Sequence, residues 1–286
     1  MFTFRIETYE KNMVCLTQNE SDFQILDIIG LNPPSSQINS SSNAGMDGAT
    51  FNSSKLNPRN LVITIKINGN IEANRTFLYN CFRTKETCKI FYKNGVRNVF
   101  IEGYVESFEC DLFSQSEVAQ ISIICLDPYF KDLKMIIDDI SKIKSCFYFP
   151  FSINVDEPIP ISTIEMDRVT NILNASESET GVIIEATFSN HVNDIEIRNI
   201  KTGEQLKIVY PFLENDKLTI NTNKGSKEII LLREGKEFNL IPYIAKGSSF
   251  FRLYIGDNFF SYLADDGESD RFVSILFKHF NIYRGV

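Results

Sequence analysis

The chain of 286 residues carries 29 basic and 37 acidic side chains, a formal net charge of −8, and 43% of its residues are hydrophobic. This composition supports real cores and excludes a disordered chain, and the length favours two domains. An acidic chain without a Lys/Arg cluster cannot neutralise many phosphates, so nucleic-acid binding is disfavoured. The sequence has no apolar run of about 18 residues and no signal-peptide pattern at its start, so we expect a soluble product without its own secretion signal.

The first 58 residues predict three short strands and then a long loop. Residues 2–6, 13–16 and 23–29 have the composition of strands. Residues 30–58 are rich in Asn, Ser, Pro and Gly and offer little to a core. A loop of this length is usually functional, or disordered in isolation. Near its end, Gly45 and Gly48 provide flexible backbone around the turn-forming Asp47.

Residues 59–130 are the most regular part of the sequence. Apolar and polar side chains alternate from residue 61 to residue 68, which predicts a half-buried strand. Apolar side chains at helical spacing predict a helix at residues 71–82. Asn94-Gly95, between two apolar runs, predicts a hairpin with a two-residue turn and positive φ at both positions. Two further alternating runs predict a second, longer hairpin that ends before Pro128.

The segment Asp127-Pro128-Tyr129-Phe130 closes this block. Pro128 drives Asp127 toward an extended conformation and prevents the strand ladder from continuing. Downstream, apolar residues at i, i+3, i+4 and i+7 predict a linker helix with Asp132 as its N-cap. We therefore predict a first domain at residues 1–131, a linker helix at 132–146 and a second domain at 147–286.

The second half of the sequence predicts short strands without a long helix. Turn residues separate apolar segments at intervals of about 8–12 residues, which is typical of a β-sandwich or jelly roll. The fold class is therefore mainly β, with a helix laid across an antiparallel sheet (α+β) in the first half. The predicted strands span residues 182–188, 195–199, 205–209, 218–221, 228–232, 238–241, 250–255 and 272–283.

The chemistry-bearing residues form no recognisable array. His191 lies in a polar turn and His279 in the last strand, and neither has a nucleophile or carboxylate at a catalytic spacing. The acidic run at residues 265–270 has Gly at its third position, whereas a calcium loop needs Gly at the sixth, so we expect a solvated hairpin tip. Glycine-rich phosphate loops are absent. We predict no catalytic residue, no metal site and no cofactor, and we expect that the protein is not an enzyme.

The cysteines predict structural thiols rather than a redox or metal site. They show no Cys-x-x-Cys spacing, and two of them fall on apolar strand faces, where Cys behaves as a small hydrophobic residue. We expect reduced thiols at Cys15, Cys81, Cys88, Cys110, Cys125 and Cys146.

Several of these segments resemble the distal tail proteins of long-tailed bacteriophages, the siphophage tail component family. The matching segments are Gly45-Met46-Asp47-Gly48, Pro58-Arg59-Asn60, the helix near residues 75–82, Ile101-Glu102-Gly103-Tyr104-Val105-Glu106, the strand that closes on Asp127-Pro128-Tyr129-Phe130, and Tyr283-Arg284-Gly285-Val286. Motif-level resemblance covers residues 1–131, and beyond them it follows the strand pattern. Leu126 departs from the family, which more often has Pro before Asp-Pro. The structural motif residues that follow from the resemblance are Gly45, Asp47, Gly48, Arg59, Gly103, Tyr104, Asp127, Pro128, Tyr129 and Phe130.

The resemblance implies a structural protein of the virion tail tip, assembled in the cytoplasm of a bacterial host. Its first domain would be a ring-forming split β-barrel with one flanking helix, similar to tail-tube proteins. Its second domain would be a galectin-like β-sandwich that projects outwards. A homohexameric ring would join the tail tube protein to the tail-tip hub or tail-associated lysin, with receptor-binding proteins as further candidate partners. Genomic DNA would pass through the lumen without specific binding, and no membrane would be involved.

Two alternatives come from other functional classes. A carbohydrate-binding module is the main one, because galectin-like sandwiches bind sugars through a Trp platform and His, Arg and Asn donors. The chain has 24 Phe and 11 Tyr but no Trp, so only Phe or Tyr rings are available for stacking on a sugar. A tail-associated hydrolase would need a carboxylate pair in a cleft, and no pair stands out in the sequence.

Overall fold

The computed structural model describes residues 2–19, 21–45, 47–112, 117–140, 143–145, 162–164 and 169–286 of the chain. These residues belong to two units: the first is Met1–Leu133 with Ile282–Val286, and the second is Lys134–Asn281. The chain therefore leaves the first unit and later returns to it. The sequence analysis assigned residues 282–286 to the second domain, because a short strand that pairs far upstream leaves no local signal.

The elements follow one another mostly as strands. In chain order they are β1 (Thr3–Glu7), β2 (Met13–Leu16), β3 (Phe23–Ile29), β4 (Ser36–Ser41), β5 (Thr50–Leu56), β6 (Arg59–Ile67), α1 (Ile71–Cys81), β7 (Thr87–Lys93), β8 (Asn98–Cys110), β9 (Val118–Cys125), β10 (Phe130–Asp132), β11 (Ile136–Asp139), β12 (Ile143–Ser145), β13 (Ser162–Ile164), β14 (Thr170–Asn174), β15 (Ile183–Phe188), β16 (Val192–Asn199), β17 (Gln205–Phe212), β18 (Lys217–Asn221), β19 (Glu228–Arg233), β20 (Lys236–Asn239), β21 (Gly256–Ala264), β22 (Val273–His279) and β23 (Ile282–Tyr283). Short 3-10 turns span Ile241–Tyr243, Asp265–Gly267 and Asp270–Phe272. The predicted mainly-β class is confirmed.

The first unit is built on one antiparallel sheet that curls into a barrel. Its strand order is β2-β1-β7-β8-β9-β6-β3, and β10 pairs with both β8 and β23. The two ends of this order meet at Thr17, whose N–H donates to the Phe23 carbonyl at 3.4 Å and whose carbonyl accepts from the Ile25 N–H at 2.7 Å. The barrel is therefore closed at this seam by a short stretch of hydrogen bonding.

Alternation along the central strands places one face of each strand in the barrel core. The inward residues of β6 are at most 2% exposed, and those of β9 are fully buried. Burial of one such side chain contributes about 1.5–3 kcal/mol relative to an exposed position. The period of two that the sequence predicted for these strands is confirmed, with the inward side chains Leu61, Ile63, Ile65, Ile67, Ala119, Ile121, Ile123 and Cys125.

Helix α1 flanks the barrel, as predicted. The side chain of Asn70 caps its N-terminus by accepting a hydrogen bond from the Ala73 N–H at 3.3 Å. Leu78 and Cys81 are buried in the barrel core. Phe77 stays 42% exposed and stacks on the Phe23 ring, with centroids 5.9 Å apart.

The hairpin between β7 and β8 is observed, but its turn differs from the prediction. Lys93 pairs with Asn98, so the loop holds four residues rather than two. The Asn94 side-chain oxygen accepts hydrogen bonds from the main-chain N–H groups of Val96 at 2.8 Å and Arg97 at 2.7 Å. This side-chain turn replaces the predicted pair of positive φ angles, and neither Asn94 nor Gly95 adopts a left-handed conformation.

Residues 30–58, predicted to be a loop, contain a two-stranded sheet. Strands β4 and β5 pair from Ser36↔Leu56 to Ser41↔Thr50, with a bulge after Asn39. Every residue of both strands except Leu56 is exposed. The sequence analysis missed these strands because their Ser and Asn residues lack strand propensity, while Thr50 to Leu56 has no regular alternation.

The second unit is a sandwich of two antiparallel sheets, as predicted. One sheet has the order β11-β22-β15-β18-β19-β20 and the other β14-β21-β16-β17, while β12 pairs only with β13 among the strands of the described chain. Aromatic rings fill the space between the sheets: Phe188 and Phe212 stack with centroids 4.2 Å apart. Phe251, Phe260 and Phe277 form a second buried group.

The predicted linker helix at residues 132–146 is wrong. Phe130–Asp132 is strand β10, Ile136–Asp139 is strand β11, and Ile143–Ser145 is strand β12. Strand β11 pairs with the edge of β22, with Ile136 opposite His279. β-Branched Ile at several apolar positions suits this pairing, and the tertiary ladder overrides a helical spacing of only four residues. Residue 146 lies outside the described residues.

The predicted strand at residues 250–255 is also wrong, because the strand is β21, which starts at Gly256. The Asn258 side chain closes the preceding turn: its oxygen accepts from the Tyr254 N–H at 2.9 Å, and its nitrogen donates to the Tyr254 carbonyl at 2.7 Å. The interior of β21 then alternates, with Phe260 and Tyr262 buried. The Gly256-Asp257-Asn258 sequence is typical of a turn between strands, but these residues are the first three of strand β21.

Candidate functional site

Arg59 is the residue on which several predicted motif residues of the first unit converge. It opens β6 and is only 3% exposed. Its Nε donates to the Pro128 carbonyl at 2.9 Å, and its Nη1 donates to the carbonyls of Asn32, at 2.7 Å, and Gly30. Its Nη2 donates to the Arg284 carbonyl. We call this cluster, together with the Phe130 ring, the Arg59 node.

The Arg59 node holds a buried positive charge with main-chain dipoles. The Phe130 ring lies against the guanidinium, with its centroid 4.5 Å from Cζ, in a cation–π contact. Burial lowers the pKa of Arg59, although a guanidinium remains protonated in proteins. Hydrogen bonds from a charged donor contribute about 1.5–3 kcal/mol each, which offsets the desolvation of the cation. The node therefore fixes three parts of the main chain. These are Gly30 and Asn32, on either side of residue 31, then Pro128, and finally Arg284 near the end of the first unit.

The Asp127-Pro128-Tyr129-Phe130 segment ends β9 and starts β10. Strand β9 stops at Cys125, and Phe130 is fully buried. Asp127 is exposed and forms an ion pair with Lys131 at 3.0 Å. Its carboxylate also accepts a long hydrogen bond from the Tyr129 N–H at 3.4 Å. The motif thus acts as a strand terminator that delivers one carbonyl and one ring to the Arg59 node.

Gly103 is required by close packing rather than by its φ angle. A Cβ at this position would lie 2.6 Å from Ile123 Cγ2 and 2.9 Å from Cys125 Sγ. Cys88 pairs directly opposite Gly103 on β7. Burial raises the pKa of Cys88 and of Cys125 to about 12, so both thiols stay protonated and unreactive. Cys15, Cys81, Cys88, Cys110 and Cys125 are free, as predicted, and Cys146 lies outside the described residues.

Tyr104 and Asp127 line an open cleft of about 570 Å³ on the first unit. Tyr9 and Leu126, 64% and 65% exposed, also line it. Its carboxylates lie beside lysines: Glu7 and Lys11 are 3.2 Å apart, Glu102 and Lys89 are 3.6 Å apart, and Asp127 pairs with Lys131. Each of these carboxylates is paired with a lysine, so the cleft shows no pair of free carboxylates set for acid–base chemistry.

The turn that joins β4 to β5 contains three of the predicted motif residues, Gly45, Asp47 and Gly48. All three are exposed, and Gly45 and Gly48 both have φ of 90°. Open space surrounds both glycines, so they serve the turn and not a close contact. The structure thus places Gly45, Asp47 and Gly48 at the tip of the β4–β5 hairpin and Arg59, Pro128 and Phe130 in the Arg59 node, while Gly103 packs against β9 and Tyr104 lines the cleft.

The β4–β5 hairpin has one polar and one apolar face. On one face, Asn39 Nδ2 donates to Ser53 Oγ at 3.0 Å and Ser41 Oγ donates to Asn52 Oδ1 at 3.3 Å. On the other face, Ile38 and Phe51 are 64% and 63% exposed. Ile38 pairs with Ser54 and Phe51 pairs with Ser40, two residues after Ile38, so the register across the bulge puts these two apolar side chains on the same side of the hairpin. Sequence reasoning missed this face, although two large apolar residues within a Ser/Asn-rich stretch were the available signal.

The two histidines do not form a common site. His191 is exposed in a turn, whereas His279 is 2% exposed, with its Nδ1 3.8 Å from Asp138 Oδ2. Burial lowers the pKa of His279, and the Asp138 carboxylate opposes that shift. Burial also raises the pKa of Asp138. The two residues lie on the paired strands β22 and β11, with the Asp138 side chain 30% exposed, and the structure shows no Ser or Cys side chain paired with them among the described residues.

The acidic run at residues 265–270, predicted to be a solvated hairpin tip, is partly structural. Asp265 accepts hydrogen bonds from the main-chain N–H groups of Asn193 at 2.8 Å and Asp194 at 3.2 Å. Asp270 is 7% exposed and accepts from the Ala264 N–H at 2.6 Å. These carboxylates cap backbone donors, so the prediction of full solvation is wrong.

Across the part of the chain that the structure describes, no group of three or more His, Cys, Asp or Glu side chains is placed to hold a metal ion. Within the same residues, no helix has the length and apolarity needed to cross a membrane.

Comparison with known proteins gives a family match to part of the chain and a similar fold over nearly all of it. Residues 175–279 match the model of the siphovirus-type tail component, C-terminal domain. The Dit protein (gp 19.1) of phage SPP1 has a similar structure, with 14% identity and a TM-score of 0.69 over 98% of this chain and 99% of that one. A chain of the phage P2 baseplate, in its activated conformation with Ca, has 9% identity and a TM-score of 0.52 over 98% of both chains. The search of curated proteins found no match.

The family match lies wholly within the second unit, whereas the structural matches span both units. Together they confirm the resemblance of this chain to the bacteriophage distal tail proteins of the siphovirus-type tail component family.

Proposed function

We propose that this chain is a structural distal tail protein, located at the tail tip of a phage or phage-like particle. The observation that carries the proposal is the fold shared over 98% of this chain and 99% of the SPP1 Dit chain. That protein is described as a hub adsorption apparatus of phages that infect Gram-positive hosts. A match over both units supports the architecture of the whole chain, which a match to one sandwich alone would not do.

The β4–β5 hairpin is the element that we assign to contacts with a neighbouring subunit or with the tail tube. It forms a sheet of its own within the described chain. An isolated two-stranded hairpin is marginally stable in water, and its unpaired edges are open to pairing. The exposed Ile38 and Phe51 add an apolar face that assembly would cover. The hairpin should therefore become fully ordered only in the assembled tail.

The partners follow from this role. A contact between different surfaces of identical subunits closes into a ring when the rotation allows it, and we propose a homohexamer. The tail tube protein would bind one side of the ring, and the tail-tip hub or tail-associated lysin the other. Receptor-binding proteins would attach on the outside. The net charge of −8 suits a channel that must release DNA, because an acidic wall does not bind phosphates. We propose no enzymatic activity.

Hydrogen exchange in the isolated chain and in assembled tail tips tests the role of the hairpin. The expected result is rapid exchange of residues 36–56 in the isolated chain and strong protection in the tail. The buried strands β6 and β9 serve as the internal control, because they are protected in both states. Equal protection of residues 36–56 in the two states would remove the hairpin from the assembly contact.

A further inference from the structure

The segment Ile282–Val286 lies on the base of the β4–β5 hairpin. The Val286 N–H donates to the Leu31 carbonyl at 3.2 Å. A Cβ on Gly285 would lie 3.0 Å from Pro33 Cδ and 3.3 Å from the Leu31 carbonyl oxygen. This return segment therefore touches the chain that runs from β3 into the hairpin.

The return segment is itself anchored in the barrel. Tyr283 pairs with Phe130 in the β10–β23 ladder. The Tyr283 hydroxyl donates to Asp132 Oδ2 at 3.4 Å, and its ring lies against Arg97, with the guanidinium carbon 4.0 Å from the ring centroid. The segment is thus held firmly just before it reaches the hairpin base.

Both roots of the hairpin meet at the same place. The incoming root is fixed by the Arg59 node, and Gly30 there has φ of 98° and packs so closely that a Cβ would lie 2.2 Å from the Asn60 carbonyl oxygen. The outgoing root is tied to the incoming one, because the Asn57 N–H donates to the Ser35 carbonyl at 3.0 Å. Asn57 Nδ2 also donates to Ser35 Oγ at 3.1 Å.

We infer that the return segment Ile282–Val286 positions the β4–β5 hairpin by holding its incoming root in place. It contacts Leu31 and Pro33 directly, and its Arg284 carbonyl accepts from Arg59 in the Arg59 node. The chain reaches this segment directly from the second unit, whose last residue is Asn281. The contact element of the first unit is therefore completed by a segment that follows the whole of the second unit in the chain. The inference rests on the proposed function only in treating the hairpin as an assembly contact.

The test is hydrogen exchange of the full chain carrying Gly285→Val, measured at the amides of the incoming root, residues 30–35, and of the outgoing root at Asn57. The added side chain must push Pro33 and Leu31 away, so amides at both roots should exchange about three- to tenfold faster, as expected for losing one net hydrogen bond. Gly95→Val is the matched control, because its Cβ direction is open and it has no positive φ. Unchanged exchange at both roots in Gly285→Val would overturn the inference.

A second variant keeps the test decisive if Gly285→Val does not fold. Val286→Pro removes the N–H that bonds to Leu31, together with the Val side chain that packs against the barrel core, and it should produce the same acceleration at the incoming root. Amides of β6 and β9 report whether the barrel is intact. Failure of the unaltered chain to form rings would count against the proposed function alone, whereas normal root exchange in a folded Val286→Pro variant would count against the positioning role alone.

Discussion

Replacing Arg59 by Met is the perturbation that tests the Arg59 node most severely. The substitution keeps an unbranched side chain of similar length but removes the donors that four main-chain carbonyls now share. Leaving a buried carbonyl group without its donor costs about 1–3 kcal/mol, and the loss of the Phe130 cation–π contact adds to it. Relief from burying the guanidinium reduces the total, so we expect the first unit to lose about 3–4 kcal/mol.

Urea unfolding followed by circular dichroism measures this change, because the chain has no Trp to report by fluorescence. Hydrogen exchange then assigns the weakened transition to the first unit. The matched control is Arg83→Met, whose ion pair with Glu10 at 2.9 Å is about half exposed and should contribute less than about 1 kcal/mol. An Arg59→Met variant as stable as the Arg83→Met variant would refute the reasoning.

Three further substitutions have defined directions. Gly103→Ala should destabilise the first unit by about 1–3 kcal/mol through overpacking, whereas Gly95→Ala, in open space, should be nearly neutral. His279→Phe should flatten the acid limb of the second unit's stability profile: burial holds the folded pKa below 6.5, so the unfolded state takes up the proton first and stability falls as pH drops through about 6.5. Glu234→Asn should stabilise the β19–β20 turn by about 0.5–1 kcal/mol, because Glu234 has φ of 51° and Asn tolerates the left-handed region better.

Each of these expectations has a result that would contradict it. A Gly103→Ala variant as stable as Gly95→Ala would show that β9 can shift away from residue 103 without loss of stability, and it would contradict the overpacking expected there. An acid limb that survives His279→Phe would show that His279 does not cause it. Because the pKa of Asp138 is raised in the folded state, its protonation increases stability as the pH falls further. The stability profile should therefore be measured between about pH 5 and about pH 7.5. A Glu234→Asn variant with a lower unfolding midpoint would show that the Glu side chain has a role outside the turn.

The sequence predicts the elements whose side chains follow a regular period. Strands β6 and β9 have one apolar and one mixed face, and the helix carries its apolar residues on one side, so local pattern and tertiary burial agree. The errors occur where a local signal competes with a distant partner. Residues 133–140 carry apolar side chains at helical spacing, but Ile136–Asp139 forms a strand that pairs with β22. The turn at residues 94–97 is set by the Asn94 side chain rather than by positive φ angles.

The candidate site was only partly accessible to sequence reasoning. Arg59 and Phe130 could be singled out by resemblance, but the groups that Arg59 binds are main-chain carbonyls, which leave no trace in residue identity. One of them, at Arg284, is 225 positions away along the chain. The hairpin was missed for a different reason: its Ser- and Asn-rich strands have low strand propensity, and their nearly uniform exposure leaves no alternating apolar pattern.

The most direct test of the central claim is electron cryomicroscopy of tail tips that contain this chain, with Phe51→Asp compared against Val96→Asp. Phe51 lies on the apolar face of the β4–β5 hairpin, whereas Val96, 91% exposed, lies at the tip of a different hairpin. We predict a closed ring with six times the 32.8 kDa chain mass, in which the β4–β5 hairpin contacts a neighbouring subunit or the tube. We also predict that Phe51→Asp prevents ring incorporation and that Val96→Asp does not. A single copy at the tip, or a ring in which this hairpin projects uncovered into solvent, would contradict the account.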